Sequence, residues 1–230
     1  MTLVAFDFDG TLSDSEMTVL LGEQCGVAGD MERITERAMN DEIEYAESLR
    51  QRCGLLEGLS QEKAEAAFDQ VVLREDANTV IDELNEAGVH TAILTGGFER
   101  GVERALEKAG VSVDSIVANR LPMEDGESEA RSTSEDTSGG NPRVLTGEVE
   151  GPLIEGTKDD ALEDLAGTVG VDMADTVAVG DGANDLPMLE VAGLSVGFDP
   201  KPAVEPSCDT VVLSMSELQG VLEAESVLQP

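Results

Sequence analysis

The 230-residue sequence predicts an α/β fold, a doubly wound parallel sheet with a small helical domain inserted after the first strand. Three observations predict it. A short apolar run at the N-terminus breaks abruptly into an acidic turn. Residues 15–72 carry apolar positions at three- and four-residue spacing, a helical period. From Asp76 onward, apolar strand-like runs alternate with helical stretches, which implies parallel strands joined by crossover helices.

Taken in order, Leu3-Val4-Ala5-Phe6 is the first strand and ends in Asp7-Phe8-Asp9-Gly10-Thr11. The spacing then predicts helices over 15–25, 30–53 and 60–72, separated by Gly26, Gly29, Gly54 and Gly58. A helix over 76–87 stops at Gly88, and residues 89–94 form a buried strand. A helix over 98–109 stops at Gly110, and residues 114–118 form the next strand. A helix near 157–166, a strand over 176–179, a short helix near 185–191, strands over 194–197 and 210–213, and a terminal helix complete the chain. Residues 1–13 and 75–230 are therefore expected to form the α/β core, and residues 14–74 a helical cap. The polar, acidic stretch Glu124–Arg143 is expected to be a mobile surface loop at the tip of a hairpin between Val117–Pro122 and Val144–Glu150.

Composition narrows the function. The formal charge is −35, with 49 Asp and Glu against 14 Lys and Arg, of which only Lys63, Lys108, Lys158 and Lys201 are lysines. Such a surface is a poor partner for nucleic acid or anionic membranes. Acid-rich, lysine-poor composition along the whole chain resembles that of proteins from salt-loving organisms, in which concentrated salt screens self-repulsion. Cys25, Cys53 and Cys208 show no metal-ligand or disulfide spacing. The first apolar run is far too short for a signal peptide, and no stretch approaches a membrane span, so a cytoplasmic protein is expected.

In a strand, residues two apart point the same way, so Asp7 and Asp9 project together from the strand's carboxyl end. Two adjacent carboxylates repel each other unless a cation lies between them or one stays protonated. A hard divalent cation meets that need, and Mg²⁺ favours a few carboxylates plus phosphate oxygens. Further motifs fall at the same sheet edge, where ligands of such sheets bind. Thr95-Gly96-Gly97 follows a strand and offers a hydroxyl and main-chain N–H groups to a phosphate. Lys158 opens a helix, where the dipole disfavours a cation, and so points to a nearby anion. Gly180-Asp181-Gly182-Ala183-Asn184-Asp185-Leu186-Pro187-Met188 brings two more carboxylates and an amide.

The order DxDGT, TGG, Lys, GDGxND resembles the haloacid dehalogenase superfamily of phosphotransferases, and the resemblance spans the whole chain. Within that superfamily, GDGANDLPM together with a helical cap is similar to the phosphoserine phosphatase family. Glu16 lies seven residues after Asp9, where that family binds the substrate ammonium. Arg52, in Ser48-Leu49-Arg50-Gln51-Arg52, matches the arginine that grips the substrate carboxylate. Met39 and Tyr45 match apolar residues that close over the site, Tyr45 replacing the usual phenylalanine; Thr95 replaces a more common serine. Asn119-Arg120-Leu121 with Gly147-Glu148-Val149 resembles the family's flap hairpin.

The resemblance implies hydrolysis of O-phosphoserine, a small-molecule substrate, with Asp7 as nucleophile and Asp9 as general acid and base. It implies Mg²⁺ on the Asp7 carboxylate, the Asp9 main-chain carbonyl and Asp181, with Asp185 supporting the metal or Lys158. Lys158, Thr95, Gly96, Gly97 and Asn184 are implied to hold the phosphoryl group. A monomer and a homodimer both accord with the sequence. So do two other functions, transfer of the phosphoryl group to another alcohol and phosphate binding without catalysis. Gly193-Leu194-Ser195-Val196-Gly197 imitates a nucleophile elbow, but no helix follows the serine and the one histidine, His90, lies upstream. Both Ser195 and His90 are expected to be structural.

Overall fold

The structure is a computed structural model and describes residues 1–39, 42–126 and 142–229. Its centre is a six-stranded parallel sheet in the order β3-β2-β1-β6-β7-β8. The strands are β1 (Leu3–Phe6), β2 (His90–Phe98), β3 (Ser115–Asn119), β6 (Thr176–Gly180), β7 (Leu194–Phe198) and β8 (Thr210–Val212). Between β3 and β6, β4 (Met123–Asp125) and β5 (Arg143–Leu145) form a separate antiparallel hairpin. The helices are α1 (Met17–Glu23), α2 (Ala28–Met39), α3 (Tyr45–Gly54), α4 (Gln61–Phe68), α5 (Ala77–Glu86), α6 (Glu99–Ala109), α7 (Lys158–Val169), α8 (Leu186–Val191) and α9 (Met215–Ala224). No helix among the described residues is long and apolar enough to cross a membrane. The α/β class and the parallel sheet read from the sequence are both present.

Alternation along the strands builds a core on each side of the sheet. Val4, Phe6, Ile93, Val177, Val179, Val196 and Phe198 face one layer, which includes residues of α5, α6 and α9 and of the inserted helices. Leu3, Ala5, Ala92, Leu94 and Ala178 face the other, with Leu162 and Ala166 of α7 and Met188 and Leu189 of α8. Because β1 pairs with both β2 and β6, its carboxyl end opens between theirs.

Three boundaries differ from the sequence reading, each because a tertiary contact overrides local periodicity. The expected helix over 30–53 is two helices, α2 and α3. Residues 42–44 are not helical, and Glu44 is extended (φ −66°, ψ 152°), which turns α3 back to pack on α2. The β2 strand runs on through Thr95-Gly96-Gly97 to Phe98, because Phe98 pairs with Asn119 across an irregularity in the register. The hairpin pairs Met123 with Leu145 and Asp125 with Arg143, so Glu124, Asp125 and Arg143 belong to strands rather than to the acidic loop. An outer bridge joins Arg120 to Glu150. The remainder of that loop, residues 127–141, lies outside the described residues.

The inserted helices meet the core at three places. The connections in and out run side by side, with Ser13 bridged to Leu73 and the Arg74 N–H donating to the Leu12 carbonyl at 2.8 Å. The hairpin reaches up to the insert, since the Gly58 N–H donates to Leu145 and the Leu145 N–H to Leu59, both at 2.9 Å. Finally, α6 presents Arg100, Arg104 and Lys108 at four-residue spacing toward α4. Arg100 pairs with Glu65 at 3.0 Å, Arg104 with Asp69 at 3.0 Å, and Lys108 donates to the Asp69 carbonyl at 2.8 Å.

Candidate active site

The first strand delivers Asp7 into the middle of the sheet's carboxyl edge, where its N–H still donates to the Val179 carbonyl at 2.8 Å. The chain then turns at Gly10, whose φ of +93° an L side chain rarely adopts. A Cβ there would also lie 2.4 Å from Asp181 Oδ1, so glycine is needed for space as well as for conformation. From the other side of the site, Lys158 at the first position of α7 is buried and donates to Asp7 Oδ1 and to Asp185 Oδ1, both at 2.6 Å. Asp185 is wholly buried, and its second oxygen accepts the N–H groups of Asp181 (2.9 Å) and Gly182 (2.8 Å). The GDGxND segment is thereby folded around one carboxylate, and that carboxylate fixes the lysine that fixes Asp7.

Electrostatics follow from this burial. Loss of water raises the Asp7 carboxyl to about 7, and the negative charge of Asp185 adds to the effect while Lys158 opposes it. Asp9 is raised well above the usual carboxylate range, by burial first and then by Glu16 and Asp7. Its Oδ1 is buried and has no hydrogen-bond partner among the described residues. Asp181 is raised by burial, against the pull of Lys201, whose Nζ lies 3.2 Å from Asp181 Oδ2. Burial works against the Lys158 charge, but Asp185 and Asp7 outweigh it and hold the ammonium charged.

Asp7, Asp181 and Asp185 bring carboxylate oxygens within 4.8 Å of one another. With Asp9, four carboxyl groups stand beside the two ammonium groups of Lys158 and Lys201. A divalent cation would offset the negative charge gathered there, and an all-oxygen donor set suits a hard ion such as Mg²⁺. The residues therefore fit the metal expected from the sequence.

The TGG segment forms the facing wall. Thr95 is buried, and its hydroxyl accepts the Gly97 N–H at 3.0 Å. A Cβ on Gly97 would approach Asp9 Oδ2 to 2.9 Å, and one on Gly96 would collide with the Tyr45 hydroxyl at 1.8 Å. Tyr45, at the start of α3, therefore sits directly on the phosphate-binding candidate, and burial pushes its phenol up to about 12. Two turns further along the same face of α3, Arg52 is buried and donates to the Thr18 hydroxyl at 3.1 Å and the Ser48 carbonyl at 3.4 Å. Glu16 is exposed at the entrance. Partial loss of water raises its carboxyl, and Lys201 and Arg52 pull the other way. Asn184 is half-buried, its amide 3.4 Å from Asp185 Oδ1. Met39 ends α2, and its side chain lies outside the described residues.

The fold thus brings together Asp7, Asp9, Lys158, Asp181, Asp185, Asn184 and Thr95-Gly96-Gly97, with Tyr45 against them and Glu16 and Arg52 within electrostatic reach. The chain matches the haloacid dehalogenase-like hydrolase family over residues 4–190. The chain belongs to the haloacid dehalogenase-like hydrolases. A phosphoserine phosphatase from Halobacterium salinarum is 48% identical over 227 residues, spanning 99% of this chain and 100% of that one. Another, from Methanocaldococcus jannaschii, is 36% identical over 222 residues and 96% of each chain. Among solved structures, a phospho-aspartyl intermediate analogue of phosphoserine phosphatase superposes with a TM-score of 0.82 at 34% identity, covering 96% of this chain and 98% of that one. A substrate-bound phosphoserine phosphatase complex gives the same score and identity over 97% of both chains.

Sequence reasoning missed several contributors to this hydrolase site. Thr18 orients Arg52, and Thr11 Oγ1 lies 3.4 Å from Asp181 Oδ1. Asn119 at the end of β3 donates to the Gly96 carbonyl and accepts the Leu153 N–H, both at 3.0 Å, which ties the TGG wall to the chain leaving the hairpin. Arg74 donates to the Gly10 carbonyl at 2.9 Å and stacks over Phe198. Of these, Thr11 and Asn119 carried signals, Thr11 as the end of the DxDGT motif and Asn119 among the residues likened to the flap hairpin. The two decoys are structural: Ser195 bonds Asp209 Oδ2 at 2.9 Å, and His90 bonds Ser115 Oγ at 3.0 Å at the opposite end of β2.

Proposed function

We propose that this hydrolase cleaves the phosphate monoester of O-phosphoserine, giving serine and inorganic phosphate. The observation that carries this reading is the buried Lys158 clamp, which holds Asp7 with one oxygen occupied beneath a helix that carries Arg52. An ammonium on one oxygen fixes the carboxylate's orientation, leaving the other oxygen to attack phosphorus in line with the departing group. The bond from phosphorus to the serine oxygen breaks as the bond to Asp7 forms. Asp9, kept protonated by its surroundings, donates its proton to the serine oxygen and then takes one from the water that attacks the aspartyl-phosphate. The second step releases phosphate and restores the Asp7 carboxylate. Lys158 and the TGG wall meet the negative charge of the phosphoryl oxygens, Thr95 and Asn184 adding polar contacts. Mg²⁺ would be held by the Asp7 and Asp181 carboxylates and the Asp9 main-chain carbonyl, and would supply positive charge to stabilise the transferring group.

In the same reading, residues 14–74 act as a cap over a core of residues 1–13 and 75–230. Arg52 takes the substrate carboxylate, Glu16 its ammonium, and Met39 and Tyr45 exclude water. We place the enzyme in the cytoplasm, and the acid-rich composition supports adaptation to salt. The test is phosphate release with and without Mg²⁺, in concentrated KCl, across phosphorylated amino acids and sugars. Strong preference for O-phosphoserine is expected; equal turnover of sugar phosphates would overturn the substrate assignment.

A further inference from the structure

The chain leaving β7 reads Phe198-Asp199-Pro200-Lys201-Pro202, and it is built to hold the main chain of one residue still. Asp199 takes a left-handed conformation (φ +41°), and prolines on both sides of Lys201 restrict the backbone further. The Lys201 N–H donates to the Asp181 carbonyl at 2.9 Å, while its own carbonyl accepts from Val204 at 2.8 Å and Glu205 at 3.2 Å. The side chain then returns to the same residue, placing Nζ 3.2 Å from Asp181 Oδ2. Lys201 is thus attached to Asp181 twice, once through each main chain and once through the side chains. On its far side it feels Glu16 at the entrance. Only four lysines occur in the chain, and two of them converge on this cluster of acids. The two differ in kind, because Lys158 is sealed in whereas the Lys201 side chain is 46% exposed and can leave.

We propose that Lys201 is a positioning residue that competes with the divalent cation for Asp181. Its ammonium neutralises Asp181 when no metal is bound and lowers the affinity of the site for Mg²⁺, so that the metal is held weakly and exchangeably. The inference rests on the metal site assigned above. Like charges a few ångströms apart at a partly hydrated position oppose each other appreciably, and a competing ligand must also be displaced.

The experiment is titration calorimetry of the full chain with Mg²⁺ in molar KCl, which suppresses diffuse uptake by the acidic surface. Lys201→Met, which keeps the stem and removes the charge, should bind Mg²⁺ on the order of tenfold more tightly. Lys201→Arg should restore affinity to near the wild-type value. In thermal melts, Mg²⁺ should raise the midpoint of Lys201→Met by more than that of the wild type, a difference that loss of loop rigidity alone would not produce. Unchanged or weaker Mg²⁺ binding by a folded Lys201→Met would overturn the proposal. Asp181→Ala separates the two levels: if it binds Mg²⁺ as the wild type does, the metal assignment fails as well. If it does not, only the role of Lys201 is at stake.

Discussion

The sheet's carboxyl edge and the helices inserted above it are held by different bonds. At the edge, Asp7, Lys158 and Asp185 are each no more than 3% exposed and are joined by two contacts of 2.6 Å, with Asp185 further bound by two N–H groups. In the insert, Arg52 leans on one hydroxyl at 3.1 Å and a long contact to its own helix, and Glu16 stands exposed with no cap bond at the start of α1. The insert is secured instead by its attachments to the core, among them the pairs through which α6 grips α4, Arg100 with Glu65 and Arg104 with Asp69. The groups that would make and break bonds are therefore fixed by buried charge pairs, and those that would recognise the substrate's amino-acid part are left adjustable. Chemistry and specificity should separate under mutation.

The largest expected effect falls at the edge. Asp7→Asn replaces the attacking oxygen with an amide and should lower kcat by at least about three orders of magnitude while the protein stays folded. Steady-state turnover and circular dichroism of the same preparation check this, and substantial residual activity would remove the contrast between the regions.

Next comes Arg52. Arginine can hold a carboxylate through two parallel bonds that lysine cannot reproduce. Arg52→Lys should cost about 2–4 kcal/mol in kcat/KM for O-phosphoserine and almost nothing for para-nitrophenyl phosphate. Equal losses on both substrates would mean that Arg52 serves the phosphate or the fold rather than specificity.

The buried acids also make a prediction about stability. Asp7 is raised from 3.8 to about 7, so the folded protein keeps this proton at pH values where the unfolded chain has lost it. Stability therefore falls as pH rises between those values, by about 4 kcal/mol from this group, and the penalty is complete above the upper one. Melting in a chelator and concentrated KCl should show this decline, and Asp7→Asn should flatten it. A midpoint that rises over the same range would show that the edge is not strained by its own charge.

The smallest effect belongs to Tyr45. Its hydroxyl faces Gly96, but the ring is what fills the space. Tyr45→Phe should change kcat/KM by less than about threefold, as expected when the partner of a removed hydroxyl remains able to bind water or substrate. A large loss would make the hydroxyl a phosphate ligand.

Much of this was legible in the sequence because it is written locally. Apolar runs of strand length, glycines at helix ends and acids at strand ends are short-range signals, so the six parallel strands and the residues Asp7, Asp9, Lys158, Asp181 and Asp185 could be read before any contact was known. Local patterns failed where a distant partner decided the outcome. The helical period runs unbroken through residues 42–44, yet the chain turns there because α3 packs on α2. Thr95-Gly96-Gly97 looks like a turn, yet it stays in the strand because Phe98 pairs with Asn119. By itself, then, the sequence determined which chemical groups end the strands, since strand ends follow from the periodicity of neighbouring residues. Only the tertiary structure decided that β1 lies between β2 and β6, that Lys158 reaches Asp7 and Asp185 together, and that Lys201 and Thr18 join Asp181 and Arg52. Those pairings link residues far apart in the chain, and they form only when burial of the whole core offsets the entropy of closing the loops between them.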